Sequence, residues 1–163
     1  MKKMGQITFG QMDSVIYGQT AADAVASEVT RLGVKRVLLM VSGTLNRETD
    51  EVNAIKASIG DRLAGVFDKM GSHTPRQDVL NAAIEASRLE VDLIVTFGGG
   101  SVTDGGKAVG LCLGNKVRKT EEMDIFRPRL DMNGKPLPPN FTGPAIRQIS
   151  VPTTLSAGEF SDK

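Results

Sequence analysis

The stretch LIVTFGGGSVTDGGKAVGL, residues 93–111, limits the possible folds more than any other part of the chain. An apolar, β-branched run of strand length meets three consecutive glycines, and a helix-like segment of small residues follows. Glycine costs roughly 1 kcal/mol per residue inside a helix, so three of them at this junction point to a close approach to the backbone. Bare backbone N–H groups at a helix start, with its partial positive charge, suit a phosphate or pyrophosphate. A tight strand-to-helix turn with no ligand is the other reading of the same residues.

The chain before this junction alternates between two periodicities. From Thr20, residues Ala22, Val25, Ala26, Val29 and Leu32 recur at helical spacing, and Gly33 sits where a helix would end. Residues 37–41 form a continuous apolar run, which predicts a buried strand, with Ser42-Gly43-Thr44 as the turn leaving it. Residues 46–59 predict a helix with Val52, Ile55 and Ile59 on one face, and residues 63–67 a second strand. Thr74-Pro75 supplies an N-cap and a first-turn proline for a helix whose apolar face is Val79, Ala83, Ile84 and Ala86. Strand and helix therefore alternate, which predicts a parallel sheet with helices on both faces. Ligands in such folds bind beyond the carboxyl ends of the strands, where residues 98–101 would lie.

After Gly114 the pattern changes. Six of the seven prolines fall between Pro128 and Pro152, so residues 115–145 read as loop or hairpin with a turn at Asn133-Gly134. Residues 146–151 offer one more short strand, and Pro152-Thr153-Thr154 leaves it.

Charge and cysteine content exclude several classes of partner. With 20 Lys plus Arg against 19 Asp plus Glu, no long-range field toward nucleic acid or an anionic membrane is expected. The basic runs Lys2-Lys3, Lys35-Arg36 and Lys116-Val117-Arg118-Lys119 read as solvated faces. The single cysteine, Cys112, cannot form an internal disulfide and fits a reducing cytoplasm. No apolar run reaches the roughly 18 residues of a membrane span, and Met1 to Gly5 has no signal-peptide core.

The glycine loop matches neither common nucleotide fingerprint. Counting G-x-G-x-x-G from Gly98 places Thr103 at the sixth position, and counting from Gly100 places Val102 at the third. A phosphate loop ending at Gly106-Lys107 would need glycine at Ser101 and Ser or Thr at Ala108. Ser101 and Asp104 have the spacing of a capping box, and Lys107 can pair with Asp104 or reach an anion. His73, just before a helix start, reads as a partly exposed capping residue rather than a metal ligand.

Gly98-Gly99-Gly100-Ser101-x-x-Asp104-x-x-Lys107-Ala108, followed by Val151-Pro152-Thr153-Thr154, resembles the iron-containing (group III) alcohol dehydrogenase superfamily. The resemblance implies a Rossmann-like α/β fold of the dehydroquinate synthase-like amino-terminal type across residues 1–163, binding NAD or NADP. It also implies a carboxyl-terminal all-helical domain outside this chain. That domain would carry Fe or Zn on one Asp and usually three His, so a chain with His73 as its one histidine leaves the metal to residues it does not contain. Hydride transfer between the nicotinamide and a small alcohol, aldehyde or ketone would need both halves, and the full-length enzyme is expected to be a homodimer.

Residue by residue, Gly98, Gly99, Gly100 and Ser101 resemble the pyrophosphate loop and Asp104 the acidic residue behind it. Thr153 and Thr154 resemble the second cofactor-contacting turn. Ser42 departs from the pattern. Many members carry an Asp there that accepts from the adenosine ribose hydroxyls, so a serine should relax or reverse a preference for NAD over NADP. The run Leu155-Ser156-Ala157-Gly158-Glu159 also departs from the alcohol dehydrogenase pattern AGTGSE. With His73-Thr74-Pro75 it is similar to maleylacetate reductases, whereas Pro152-Thr153-Thr154-Leu155 is similar to 3-dehydroquinate synthases. Ser101 and Lys107 favour a dehydrogenase over a synthase. A nucleotide-binding module without catalysis is the alternative from a different class.

Overall fold

Thr20 opens the first helix as the spacing predicts. In this computed structural model, which describes residues 12–160, its Oγ1 accepts from the Asp23 N–H at 3.1 Å and caps α1 (Ala21–Arg31). Removing such a cap typically costs about 1 kcal/mol. The helix ends at Leu32, and Gly33 takes the left-handed conformation, φ +66°, that ends many helices. The readings on Met1 to Gly5 and Lys2-Lys3 lie outside the described residues.

Four strands follow: β1 (Val37–Val41), β2 (Leu63–Phe67), β3 (Leu93–Gly98) and β4 (Arg147–Pro152). They form one sheet in the order β2-β1-β3-β4, and every pairing is parallel. Every residue of β1 and β3 is buried, which requires cover on both faces. The alternation of strand side chains divides the core accordingly. Leu38, Met40 and Ile94 pack beneath α4 (Arg76–Arg88) and α5 (Gly100–Gly114). Val37, Leu39, Val41, Leu93, Val95 and Phe97 pack beneath α1 and α3 (Glu51–Ile59). Each fully buried aliphatic side chain here contributes about 1.5–3 kcal/mol. The predicted parallel α/β sheet covered on both faces is the observed architecture.

Four local expectations are corrected. Residues 46–59 form two helices, α2 (Gly43–Glu48) and α3, because Thr49 turns extended, φ −134° and ψ 150°, with its N–H and Oγ1 both bonded to the Leu45 carbonyl. The expected turn at Ser42-Gly43-Thr44 is thus the start of α2, with Ser42 at its cap position. Thr74 does not cap α4: Pro75 holds the cap position, and Thr74 and His73 have positive φ. On α4 itself Leu80 is buried, while Ile84 is 45% exposed.

The segment 115–145 is largely irregular, with a 3₁₀ stretch at Thr120–Phe126 and a bridge between Leu130 and Pro136 around the Asn133-Gly134 turn. The Glu122 carboxylate accepts from the N–H groups of Arg118 and Lys119, so that basic run is a helix start with Val117 buried beneath it. Among the described residues no helix is long and apolar enough to cross a membrane. Cys112 is a free, buried thiol.

Candidate functional site

The strand order reverses at β1 and β3: the chain leaves β1 toward β2 and returns to the other side of β1 as β3. Such a switch point leaves a crevice beyond the carboxyl ends of the two strands. Ser42 closes β1 and Gly98 closes β3, and the Ser42 N–H donates to the Phe97 carbonyl at 3.1 Å. From the neighbouring strand, the Thr153 N–H donates to the Gly98 carbonyl at 2.9 Å. Three strand ends therefore meet at the glycine loop.

The close approach that the glycines require is visible in what a Cβ would meet. At Gly98 it would lie 3.0 Å from Val102 Cγ2 and 3.4 Å from Ser42 Cβ. At Gly99 it would lie 3.2 Å from Thr154 Cγ2, and at Gly100 3.1 Å from the Ser156 Cβ and Oγ. The loop backbone is packed against 154–156 on one side and Ser42 on the other. Gly99 is the cap residue of α5 and offers no side chain to the first-turn N–H groups. Those groups, with the partial positive charge of a 15-residue helix, form an anion-receptive end facing the crevice.

The capping box expected at Ser101 and Asp104 is absent, because the cap falls at Gly99 and Ser101 is already inside the helix. Ser101 instead clips the loop before α4. Its Oγ accepts from the His73 N–H at 3.0 Å, and its carbonyl accepts from Thr74 Oγ1 at 3.1 Å. His73 and Thr74 sit at φ +61° and +54°, a conformation that costs about 1–3 kcal/mol for a residue with a Cβ. The clip holds that strain in place next to the glycine loop. His73 therefore reaches the site through its backbone rather than as the cap the sequence suggests.

Asp104 lies one turn along α5 and pairs with Lys107, Oδ1 to Nζ, at 2.8 Å. With about half of the Asp104 side chain exposed, such a pair contributes at most about 1 kcal/mol. Its placement matters more: Lys107 Nζ also donates to the Gly158 carbonyl at 3.0 Å and fastens the turn after Thr154 onto α5. Beneath the loop, Gln148 Nε2 lies 3.0 Å from Thr96 Oγ1, 3.1 Å from the Thr103 carbonyl and 2.9 Å from Ser150 Oγ. A Cβ on Gly106 would lie 2.5 Å from Thr96 Cγ2, which explains glycine in the middle of this helix. This part-buried polar cluster fixes α5 to β3 and β4.

Ser42, Gly98, Gly99, Gly100, Ser101, Asp104, Thr153 and Thr154 thus gather at one end of the sheet. Sequence reasoning missed Ser156, Gly158 and Arg47, which also line this end. The run of small residues after Thr154 carried the signal for the first two, since small side chains let a turn lie against glycines. Among the described residues no three His, Cys, Asp or Glu side chains come together as a metal-binding set.

Comparison with known proteins agrees with this geometry. Residues 13–162 match the family described as iron-containing alcohol dehydrogenase. Dehydrogenase FUM7 of Gibberella moniliformis is 34% identical over 150 residues, which is 90% of this chain and 35% of that protein. The crystal structure of maleylacetate reductase from Rhizobium sp. superposes with a TM-score of 0.56 at 30% identity, over 66% of this chain and 30% of that one. Sulfoacetaldehyde reductase from Bifidobacterium kashiwanohense, solved in complex with NAD+, shares the fold with a TM-score of 0.68 at 16% identity, over 92% of this chain and 37% of that one. The chain spans about a third of the length of these relatives. With the family matched along nearly its whole length, this chain belongs to the iron-containing alcohol dehydrogenases.

Proposed function

We propose that this chain is the nicotinamide dinucleotide-binding part of an oxidoreductase acting on a small alcohol, aldehyde or ketone. The observation that carries the reading is the convergence at Gly98, where the Thr153 N–H holds the second turn against a glycine-capped helix at the switch point. Gly98, Gly99, Gly100 and Ser101 would bind the pyrophosphate through backbone N–H groups, and Thr153 and Thr154 would close over it. Ser42 would face the adenosine ribose. Asp104 would act indirectly: an ionised carboxylate facing phosphate would repel it, whereas paired with Lys107 it anchors the closing turn. A bound nicotinamide dinucleotide supplies the hydride acceptor or donor. The chain's own part is to fix that cofactor's position and to keep the loop beneath it rigid.

Among the described residues none form a metal site, and in this reading Fe or Zn belongs to an all-helical domain outside residues 1–163. A homodimer in the cytoplasm, with neither nucleic acid nor membrane as partner, completes the proposal. Titration with NADH and NADPH, followed by fluorescence and thermal shift, tests it. Saturable binding of either supports the reading, and binding of neither to the folded protein overturns it. Oxidation of alcohols by the 163-residue chain with added metal would overturn the assignment of the metal to another domain.

Maleylacetate reductase is the second reading. It is favoured by His73-Thr74-Pro75 held against Ser101, and by maleylacetate reductase relatives such as that of Rhizobium sp., 36% identical over 98 residues. Reduction of maleylacetate by the full-length protein, measured beside simple aldehydes, separates the two.

A further inference from the structure

We infer that Arg47 is the anchor for a 2′-phosphate, so that the dinucleotide held by this chain is NADPH in preference to NADH. The inference rests on the cofactor reading above and adds the residue that selects between the two forms.

Three observations at the end of β1 carry it. First, Ser42 follows β1 at the cap position of α2 without a side-chain cap hydrogen bond, and a hydroxyl does not repel a phosphate as a carboxylate would. Second, the Arg47 guanidinium lies over the next residue: a Cβ on Gly43 would be 3.0 Å from Arg47 Nη1. A Cβ there would also lie 3.0 Å from the Asp68 carbonyl oxygen, so glycine at position 43 admits both that carbonyl and the fork beside Ser42. Among the described residues Arg47 has no hydrogen-bond or ion-pair partner, although it is exposed between Asn46 and Glu48 on a short helix. Its five donors are thus available to an anion, and a planar fork is the side chain best matched to a phosphate.

Third, the carboxylate at the end of the neighbouring strand is held by other groups. Asp68 Oδ2 accepts from Asn46 Nδ2 at 2.8 Å, and Asn46 Oδ1 accepts from Lys56 Nζ at 2.9 Å. Asp68 keeps its charge, but its Oδ2 is occupied by the Asn46 amide in a chain that ends on the Lys56 cation. Lys56 leaves a second positive charge near the same corner. A dinucleotide fold that prefers the unphosphorylated ribose places a free acidic acceptor here, and one that takes the phosphorylated form places an arginine.

The test compares affinities for NADPH and NADH in the wild-type protein and in Arg47→Met, Arg47→Lys and Ser42→Asp variants. The wild-type protein is expected to bind NADPH about tenfold or more tightly than NADH, as a charge-assisted phosphate contact provides. Arg47→Met should remove most of that ratio while changing NADH affinity by less than about twofold, since the phosphate contact alone is lost. Arg47→Lys should keep part of it, because the charge remains and the fork is lost. Ser42→Asp should invert it. NADH bound as tightly as NADPH, or an unchanged ratio in Arg47→Met, overturns this inference and leaves the cofactor reading standing. Binding of neither dinucleotide overturns both.

Discussion

Gly99 and Thr154 are in contact through space that a single methyl group would fill: a Cβ on Gly99 would lie 3.2 Å from Thr154 Cγ2 and 3.3 Å from its Oγ1. Gly99 has φ −78°, so any residue could adopt its backbone conformation, and crowding is what excludes a side chain. Gly99→Ala is therefore expected to push the 153–156 turn outward, destabilising the fold by about 1 kcal/mol and weakening dinucleotide binding. Adding Thr154→Ser, which deletes the crowding methyl, should restore much of both losses. A double-mutant cycle on stability and on NAD(P)H affinity measures the coupling, and additive losses would remove the contact from the account.

Ser101 is expected to matter through the loop it holds. Ser101→Ala removes the acceptor of the His73 N–H, a loss of about 1 kcal/mol that releases the strained His73-Thr74 pair. Hydrogen exchange at the His73 amide should accelerate while exchange in β1 and β3 stays unchanged. Acceleration across the whole sheet would show that the clip is part of the global fold rather than a local fastening.

Alkaline pH should weaken the fold through Cys112. Burial raises its thiol from an ordinary value of 9.0 to about 11, because the folded chain disfavours the thiolate. Below pH 9 the thiol is neutral in both states, and above it the unfolded chain loses its proton first. The stability associated with the neutral thiol is therefore present below pH 9 and is lost as pH rises through about 11. Cys112→Ala should flatten that limb in denaturant titrations between these values. The native thiol should also resist alkylation at pH 8 and react on unfolding.

Acid acts with the opposite sign. Asp13 lies 2.7 Å from an Arg31 nitrogen and 2.8 Å from an Arg147 nitrogen, joining α1 to β4, and these partners lower its carboxyl below the ordinary 3.8. Glu28, beside the same Arg31, is lowered too. Their contribution is present above the ordinary carboxylate range and is lost as pH falls through the lowered values. Both Asp13 bridges are exposed, so the effect should be small and should shrink further in 1 M salt, which melting curves at pH 3 and pH 6 can check.

The strands and their order of appearance were legible in the sequence because β1 and β3 are covered on both faces, which makes 37–41 and 93–97 unbroken apolar runs. The helix predicted over 46–59 breaks at Thr49, whose backbone turns extended while its N–H and hydroxyl both bond the Leu45 carbonyl, a local closure that periodicity of apolar residues does not register. The capping box failed because a glycine can cap a helix through its backbone alone. Spacing places Ile84 in the core, yet α4 buries Leu80 and leaves Ile84 45% exposed. At the site, glycines, serine and threonines could be named in advance. What binds them together, from Thr153 to Gly98 and from His73 to Ser101, joins residues about fifty and about thirty positions apart, and only the sheet order brings them together.

Whether a dinucleotide pyrophosphate sits on the glycine-capped end of α5 is decided by titration of the purified protein with NADH and NADPH. Saturable binding of at least one of them is expected, competed by ADP-ribose and weakened in Gly99→Ala while the circular dichroism spectrum keeps its α/β form. A folded wild-type protein that binds neither dinucleotide, or one whose affinity is unchanged in Gly99→Ala, would contradict it.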